Sequence, residues 1–158
     1  MSSPPQFPVA TPLDLPASPH RLDVAARTRV AVIDDNRRDI ELFIIACDIG
    51  GIAADITGYA SGLAALTALK AQALESRDLP AVIMLDLNMP GMNGFDVLTA
   101  LKAHDALRAV PVVILTSSNS PRDRDQCQRM GAGGYLVKPS TINEFVTMLK
   151  EALPASPA

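Results

Sequence analysis

The sequence has no tryptophan, and four Phe and two Tyr bring its aromatic share to only 4 %. A core built from it must be aliphatic, and an apolar share of 48 % in 158 residues can fill one without disulfides or a structural metal. Cysteine is scarce too. Cys47 and Cys127 stand far apart without metal-ligand spacing, so each reads as a small buried apolar residue, not a redox centre. No run approaches the roughly 20 apolar residues of a membrane span. The N-terminus lacks the basic start and apolar stretch of a secretory signal, so a cytoplasmic location is expected. An excess of positive charge is also missing. The formal net charge of -3 argues against a nucleic-acid partner, which needs clustered Lys and Arg to meet phosphates.

What is present is unevenly spread. Pro4, Pro5, Pro8, Pro12, Pro16 and Pro19 crowd residues 1–27. Proline this dense removes backbone donors and blocks helix and sheet, which predicts a disordered or loosely docked arm. Residues 28–153 then read as one domain, and 154–158 as a short tail. Val30-Ala31-Val32-Ile33 is a continuous apolar run, the pattern of a strand buried on both faces of a parallel sheet. Ile40, Phe43, Ile44 and Cys47 follow at helical spacing, and Gly50-Gly51 end that helix. The alternation continues. Residues 53–59 form a second strand, and Ser61 can cap a helix carrying Leu63, Leu66 and Leu69. Val82-Ile83-Met84-Leu85 is a third strand, followed by a helix with Phe95, Leu98 and Leu101 inward. A fourth strand spans 112–115, and a polar helix 121–130. Tyr135-Leu136-Val137 is the fifth strand, before a helix with Ile142, Phe145, Val146 and Leu149. Five such βα units imply an α/β fold with a doubly wound, five-stranded parallel sheet and five helices.

In such a sheet ligands bind outside the carboxyl ends of the strands, and the polar residues gather there. Strand 1 ends in Asp34-Asp35, strand 3 in Asp86, strand 4 in Thr116-Ser117-Ser118, and strand 5 in Lys138-Pro139. Carboxylates held close repel unless a cation intervenes. Mg²⁺ suits them, because it takes one or two carboxylates and keeps waters and a phosphate oxygen. With Lys138 as a further positive charge and Thr116 as a hydroxyl, the set can hold a phosphoryl dianion. Asp86 is then the natural nucleophile, since a carboxylate can form an acyl phosphate. Singly, each residue also has an ordinary use as a helix cap, a strand end or a turn.

The motifs Val32-Ile33-Asp34-Asp35-Asn36 and Met84-Leu85-Asp86-Leu87-Asn88-Met89-Pro90-Gly91-Met92-Asn93-Gly94, with Leu115-Thr116-Ser117-Ser118 and Gly131 to Pro139, resemble the receiver domain of two-component response regulators. The likeness runs from about Arg29 to Leu153. It implies a flavodoxin-like strand order 2-1-3-4-5 and phosphorylation of Asp86 by a sensor histidine kinase. It further implies that Asp35, Asp86 and the main-chain carbonyl of Asn88 bind Mg²⁺, with Asp34 acting through a water. Thr116 would bond the phosphoryl oxygen, Lys138 would neutralise its charge, and Tyr135 would be the switch aromatic that turns inward as Thr116 moves. The chain would be a phosphoacceptor with at most slow self-dephosphorylation, not an enzyme. Receivers usually have a cis bond where Lys138-Pro139 stands, so a cis bond is expected here. Asn93 departs from a common Asp, with little consequence expected. Ser140 departs from a bulky apolar residue, which puts one contact of the last helix in question.

Other readings fit less well. A phosphatase of the haloacid dehalogenase type needs a second acid two residues after its nucleophile, and that place holds Asn88. A flavin- or nucleotide-binding module would want glycine after strand 1, where Asp34-Asp35-Asn36-Arg37-Arg38 stands. A degenerate docking receiver would not need the acidic triad and lysine, all present here. Residues 72–80 are slightly extended, which resembles regulators paired with bacterial phytochrome kinases. Lastly, Ile142, Phe145, Val146, Met148, Leu149 and Leu153 form an apolar band broader than one buried stripe needs, so a homodimer through helix 4, strand 5 and helix 5 is expected.

Overall fold

The computed structural model describes residues 27–75 and 79–153. The expected arm, apart from Arg27, lies outside the described residues, as do the tail 154–158 and the middle of the 72–80 stretch. Strands and helices alternate throughout: β1 (Thr28–Ile33), α1 (Arg37–Ile49), β2 (Ala54–Tyr59), α2 (Gly62–Leu74), β3 (Val82–Leu85), α3 (Gly94–Ala103), β4 (Val112–Thr116), α4 (Pro121–Arg129), β5 (Gly134–Val137) and α5 (Ile142–Ala152). All pairings are parallel, in the order β2-β1-β3-β4-β5. This is the expected doubly wound sheet.

The continuous apolar runs arise because both faces of the sheet are covered. Ala31 and Ile33 of β1, with Ile83 and Leu85 of β3, pack beneath α2, α3 and α4. Val30, Val32, Val82 and Met84 take the opposite face, against Ile40, Phe43 and Cys47 of α1 and Phe145 and Leu149 of α5. Phe43 of α1 packs on Phe145 of α5, edge to face with centroids 6.0 Å apart. Both cysteines are buried. Burial pushes the Cys47 thiol up to about 12 and the Cys127 thiol up to about 11, so neither is a ready nucleophile.

Ser61 does cap α2, its hydroxyl accepting from the Ala64 amide. Leu63, however, is 57 % exposed, because the helix turns Ala65, Leu66 and Leu69 to the core instead. In α3 it is Val97, Leu98 and Leu101 that are fully buried, while Phe95 packs at the edge. The expected cis bond at Lys138-Pro139 is not found; the peptide is trans. An X–Pro bond prefers trans by about 0.5–1 kcal/mol on its own, and that is the isomer found. No helix among the described residues is long and apolar enough to cross a membrane.

Candidate functional site

Register brings the polar residues together. Ile33 pairs with Leu85, so Asp34 and Asp86 lie side by side one residue past the paired strand ends. Main-chain bonds fix them there: the Asp86 amide donates to the Ile33 carbonyl at 3.0 Å, and the Asp34 amide to the Tyr59 carbonyl at 3.0 Å. Thr116 pairs with Val137, and the Lys138 amide donates to the Thr116 carbonyl at 2.8 Å, which carries Lys138 to the same edge. Behind Asp86, Gly94 of α3 packs so tightly that an added Cβ would strike the Asp86 carbonyl and come within 2.6 Å of Leu87 Cα. Only glycine lets α3 start this close. Asn93 caps the helix in a reciprocal box with Asp96, so the exchange of Asp for Asn keeps the capping function.

Carboxylate oxygens of Asp34, Asp35 and Asp86 lie within 4.8 Å of one another. Asp34 and Asp86 are buried while Asp35 is exposed, so the trio opens to solvent on one side. A donor set of hard oxygens at this spacing fits Mg²⁺. Lys138 Nζ sits 2.7 Å from Asp34 Oδ2 and 3.2 Å from Asp86 Oδ2. It also lies 2.8 Å from Asp39 Oδ2, a contact that sequence patterning did not supply. The other oxygens of the pair turn back to their own loops. Asp34 Oδ1 accepts from the Asn36 amide at 2.9 Å, and Asp86 Oδ1 from the Asn88 amide at 3.3 Å.

Burial pushes the Asp34 carboxyl up to about 6, aided by the charge of Asp86 and opposed by the Lys138 hydrogen bond and the Asn36 amide. Burial works against the charge on Lys138 as well. Its hydrogen bonds to Asp34 and Asp39, with the charges of Asp34 and Asp86, outweigh that and hold it above the usual lysine range. The fold favours protonated Asp34, so its stabilising contribution is full below the ordinary value of 3.8 and is lost as pH rises through about 6. Between pH 4 and 7 wild type should therefore lose more stability than Asp34→Asn, measured by urea unfolding without divalent ions. Equal losses would show that Asp34 is not the group responsible.

Thr116 is fully buried, yet its hydroxyl is held loosely. Oγ1 accepts from Asn88 Nδ2 and from the Ser118 amide, both at 3.4 Å. Tyr135 is half-buried, and its hydroxyl donates to the Ser118 carbonyl at 2.9 Å. The Arg124 guanidinium covers its ring, 4.8 Å from the centroid. Ser118 in turn donates to Asp123 Oδ2 of α4 at 2.6 Å. Thr116, its loop, Tyr135 and α4 are thus joined in one network. Ser140 is exposed and lines an open groove between β5 and α5, with Pro139 and Met148.

A family model, that of the response regulator receiver domain, matches residues 30–150. The probable methanogenesis regulatory protein FilR2 of Methanothrix harundinacea is 31 % identical over 122 residues, 77 % of this chain and 79 % of the relative. The bacteriophytochrome response regulator AtBRR superposes with a TM-score of 0.65 at 31 % identity, covering 79 % of this chain and 91 % of the other. The Mn(2+)-bound form of response regulator Rcp1 gives a TM-score of 0.70 at 26 % identity, covering 83 % and 99 %.

Proposed function

The chain belongs to the response regulator receiver family, and we propose that it takes a phosphoryl group from a histidine kinase onto Asp86, in a Mg²⁺-dependent reaction, and signals by a conformational switch. Receiver domains are phosphoacceptors in signalling and not classical enzymes. The observation that carries this reading is the buried Asp86 carboxylate, 3.2 Å from Lys138 Nζ and within 4.8 Å of the Asp34 and Asp35 oxygens. The likeness to a Mn(2+)-bound regulator supports the metal. Asp35, Asp86 and the Asn88 carbonyl would hold Mg²⁺ directly, with Asp34 gripping a metal-bound water. When bound, the ion would offset carboxylate repulsion and the charge of the incoming phosphoryl group.

An Asp86 oxygen attacks the phosphorus of a phosphohistidine, the P–N bond breaks, and the electron pair leaves on the imidazole. Lys138 then compensates the charge that Asp86 has gained. Thr116, with only two long contacts to give up, turns its hydroxyl to a phosphoryl oxygen. The Ser118 loop moves with it and carries Tyr135 and α4. An effect on output needs differential contacts of this kind between two states. Phosphotransfer from a panel of autophosphorylated histidine kinases, phytochrome kinases included because of the likeness to AtBRR, tests the reading. Radiolabel should pass from at least one. Failure with every kinase and with small acyl phosphates would overturn it.

We further propose a homodimer through the face formed by α4, β5 and α5. Of the apolar band on α5 and its cap, Phe145, Leu149 and Leu153 are buried, while Ile142, Val146 and Met148 pack half-buried at the edge of the same core. Met148 lines the open groove beside β5, the edge strand of the sheet. Beryllofluoride, a phosphoryl mimic, should change the dimer fraction in sedimentation, and Met148→Glu should remove the dimer. A monomer under every condition would leave docking to kinase or target as the use of this surface.

A further inference from the structure

Asp39 has no part in the reaction outlined above, yet it makes one of the shortest polar contacts at the site, 2.8 Å from Lys138 Nζ. It stands in the first turn of α1, after the Asn36 cap. Arg37 and Arg38 precede it in sequence, but both are exposed, and Arg37 pairs with Glu41. Asp39 takes its cation from a strand end 99 residues away instead.

An ammonium group has three protons. Lys138 directs them at three carboxylates, with Asp34 at 2.7 Å, Asp39 at 2.8 Å and Asp86 at 3.2 Å. The longest of the three is to the acceptor itself. On phosphorylation a phosphoryl oxygen can replace that Asp86 contact while the other two stay in place. Asp34 would have a second duty toward a metal-bound water, whereas Asp39 would have none. We infer that Asp39 is a positioning residue that anchors Lys138 between Asp34 and Asp86, so that the ammonium is already in place for the phosphoryl group. The inference rests on the phosphoacceptor reading. Without Asp39, the flexible lysine stem keeps only Asp34 and Asp86, the two carboxylates that a bound metal would also use. Its ammonium would lose its fixed place, and misplacement of a charge-compensating group slows transfer.

The bland account of Asp39 is a first-turn carboxylate interacting with the helix dipole, and the test separates the two. The full chain is compared with Asp39→Ala and with Asp39→Asn, whose amide oxygen still accepts from Lys138. Two quantities are read: the rate of labelling by acetyl phosphate with Mg²⁺, and the ¹⁵N signal of the Lys138 ammonium in metal-free protein, identified by its loss in Lys138→Met. Asp39→Ala should lose the ammonium signal through fast exchange and label about tenfold more slowly. Asp39→Asn should recover the signal and most of the rate. An Asp39→Ala protein that melts lower but keeps signal and rate overturns the inference in favour of the dipole. Faster labelling overturns it too, since Asp39 would then be withholding Lys138. Should wild type take no label, the phosphoacceptor reading itself has failed. The ammonium signal still shows then whether Asp39 anchors Lys138, and its survival in Asp39→Ala refutes the anchor.

Discussion

Asp86→Asn should reduce uptake of a phosphoryl group from acetyl phosphate to background, while wild type takes one group that hydroxylamine releases. The amide of Asn has no anionic oxygen to attack phosphorus, and hydroxylamine lability marks an acyl phosphate. Other carboxylates are poor substitutes. Asp34 is buried and committed to Lys138 and the Asn36 amide, and Asp39 faces the same lysine. Asp35 is exposed, so it keeps its hydration, and Lys138 pairs with Asp34, Asp39 and Asp86 instead. The variant should also fold. Lys138 keeps two carboxylate partners, and removing one negative charge relieves repulsion among Asp34, Asp35 and Asp86. A melting temperature equal to or above that of the metal-free wild type therefore accompanies the loss of labelling. Full labelling of Asp86→Asn would move the acceptor elsewhere and sink the assignment.

The sheet was legible because strands buried on both faces must be continuously apolar, and Val30-Ala31-Val32-Ile33 and Val82-Ile83-Met84-Leu85 are short, rich in β-branched residues and bounded by polar or turn residues. Once five such units alternate with helices, parallel pairing aligns the strand ends, and the placement of Asp34, Asp86, Thr116 and Lys138 at one edge follows from topology. Asp39 was not legible in the same way. An acidic residue in a first helical turn has a sufficient local explanation, and only the rotation of α1 against the sheet turns it toward Lys138. The signal that could have found it is its place directly before Ile40, at the border of the buried stripe and one turn past the Asp34-Asp35 pair. Leu63 shows the converse limit. An apolar residue at helical spacing can face solvent when alanines beside it fit the core more closely, as Ala65 does on the buried face of α2. The cis bond before Pro139 was implied by the resemblance alone; the two isomers differ by so little that the residues themselves do not choose between them.

Millimolar Mg²⁺ should raise the melting temperature of wild type and leave that of Asp35→Asn unchanged. In the metal-free protein Asp34, Asp35, Asp39 and Asp86 are opposed at the site by the ammonium of Lys138, so the cluster carries excess negative charge. A divalent ion bound only by the folded chain relieves it and stabilises by mass action, about 1.4 kcal/mol at ten times the dissociation constant. For a domain of this size that is a rise of about 5 °C. Asp35 is the exposed member of the trio, which makes it the carboxylate an entering ion meets first and the one whose removal disturbs packing least. Asp35→Asn should accordingly melt slightly higher than wild type without metal, because repulsion falls, and lose the response because a ligand is gone. Acid should act in the same direction as that loss. Since burial pushes Asp34 up to about 6, a proton competes with the metal-bound water for its carboxylate below that value, and the Mg²⁺-induced rise should shrink between pH 7 and pH 5. A melting curve that ignores Mg²⁺ at pH 7, or an Asp35→Asn variant that responds as wild type does, would remove the metal from these carboxylates and with it the account of how Asp86 tolerates a phosphoryl dianion.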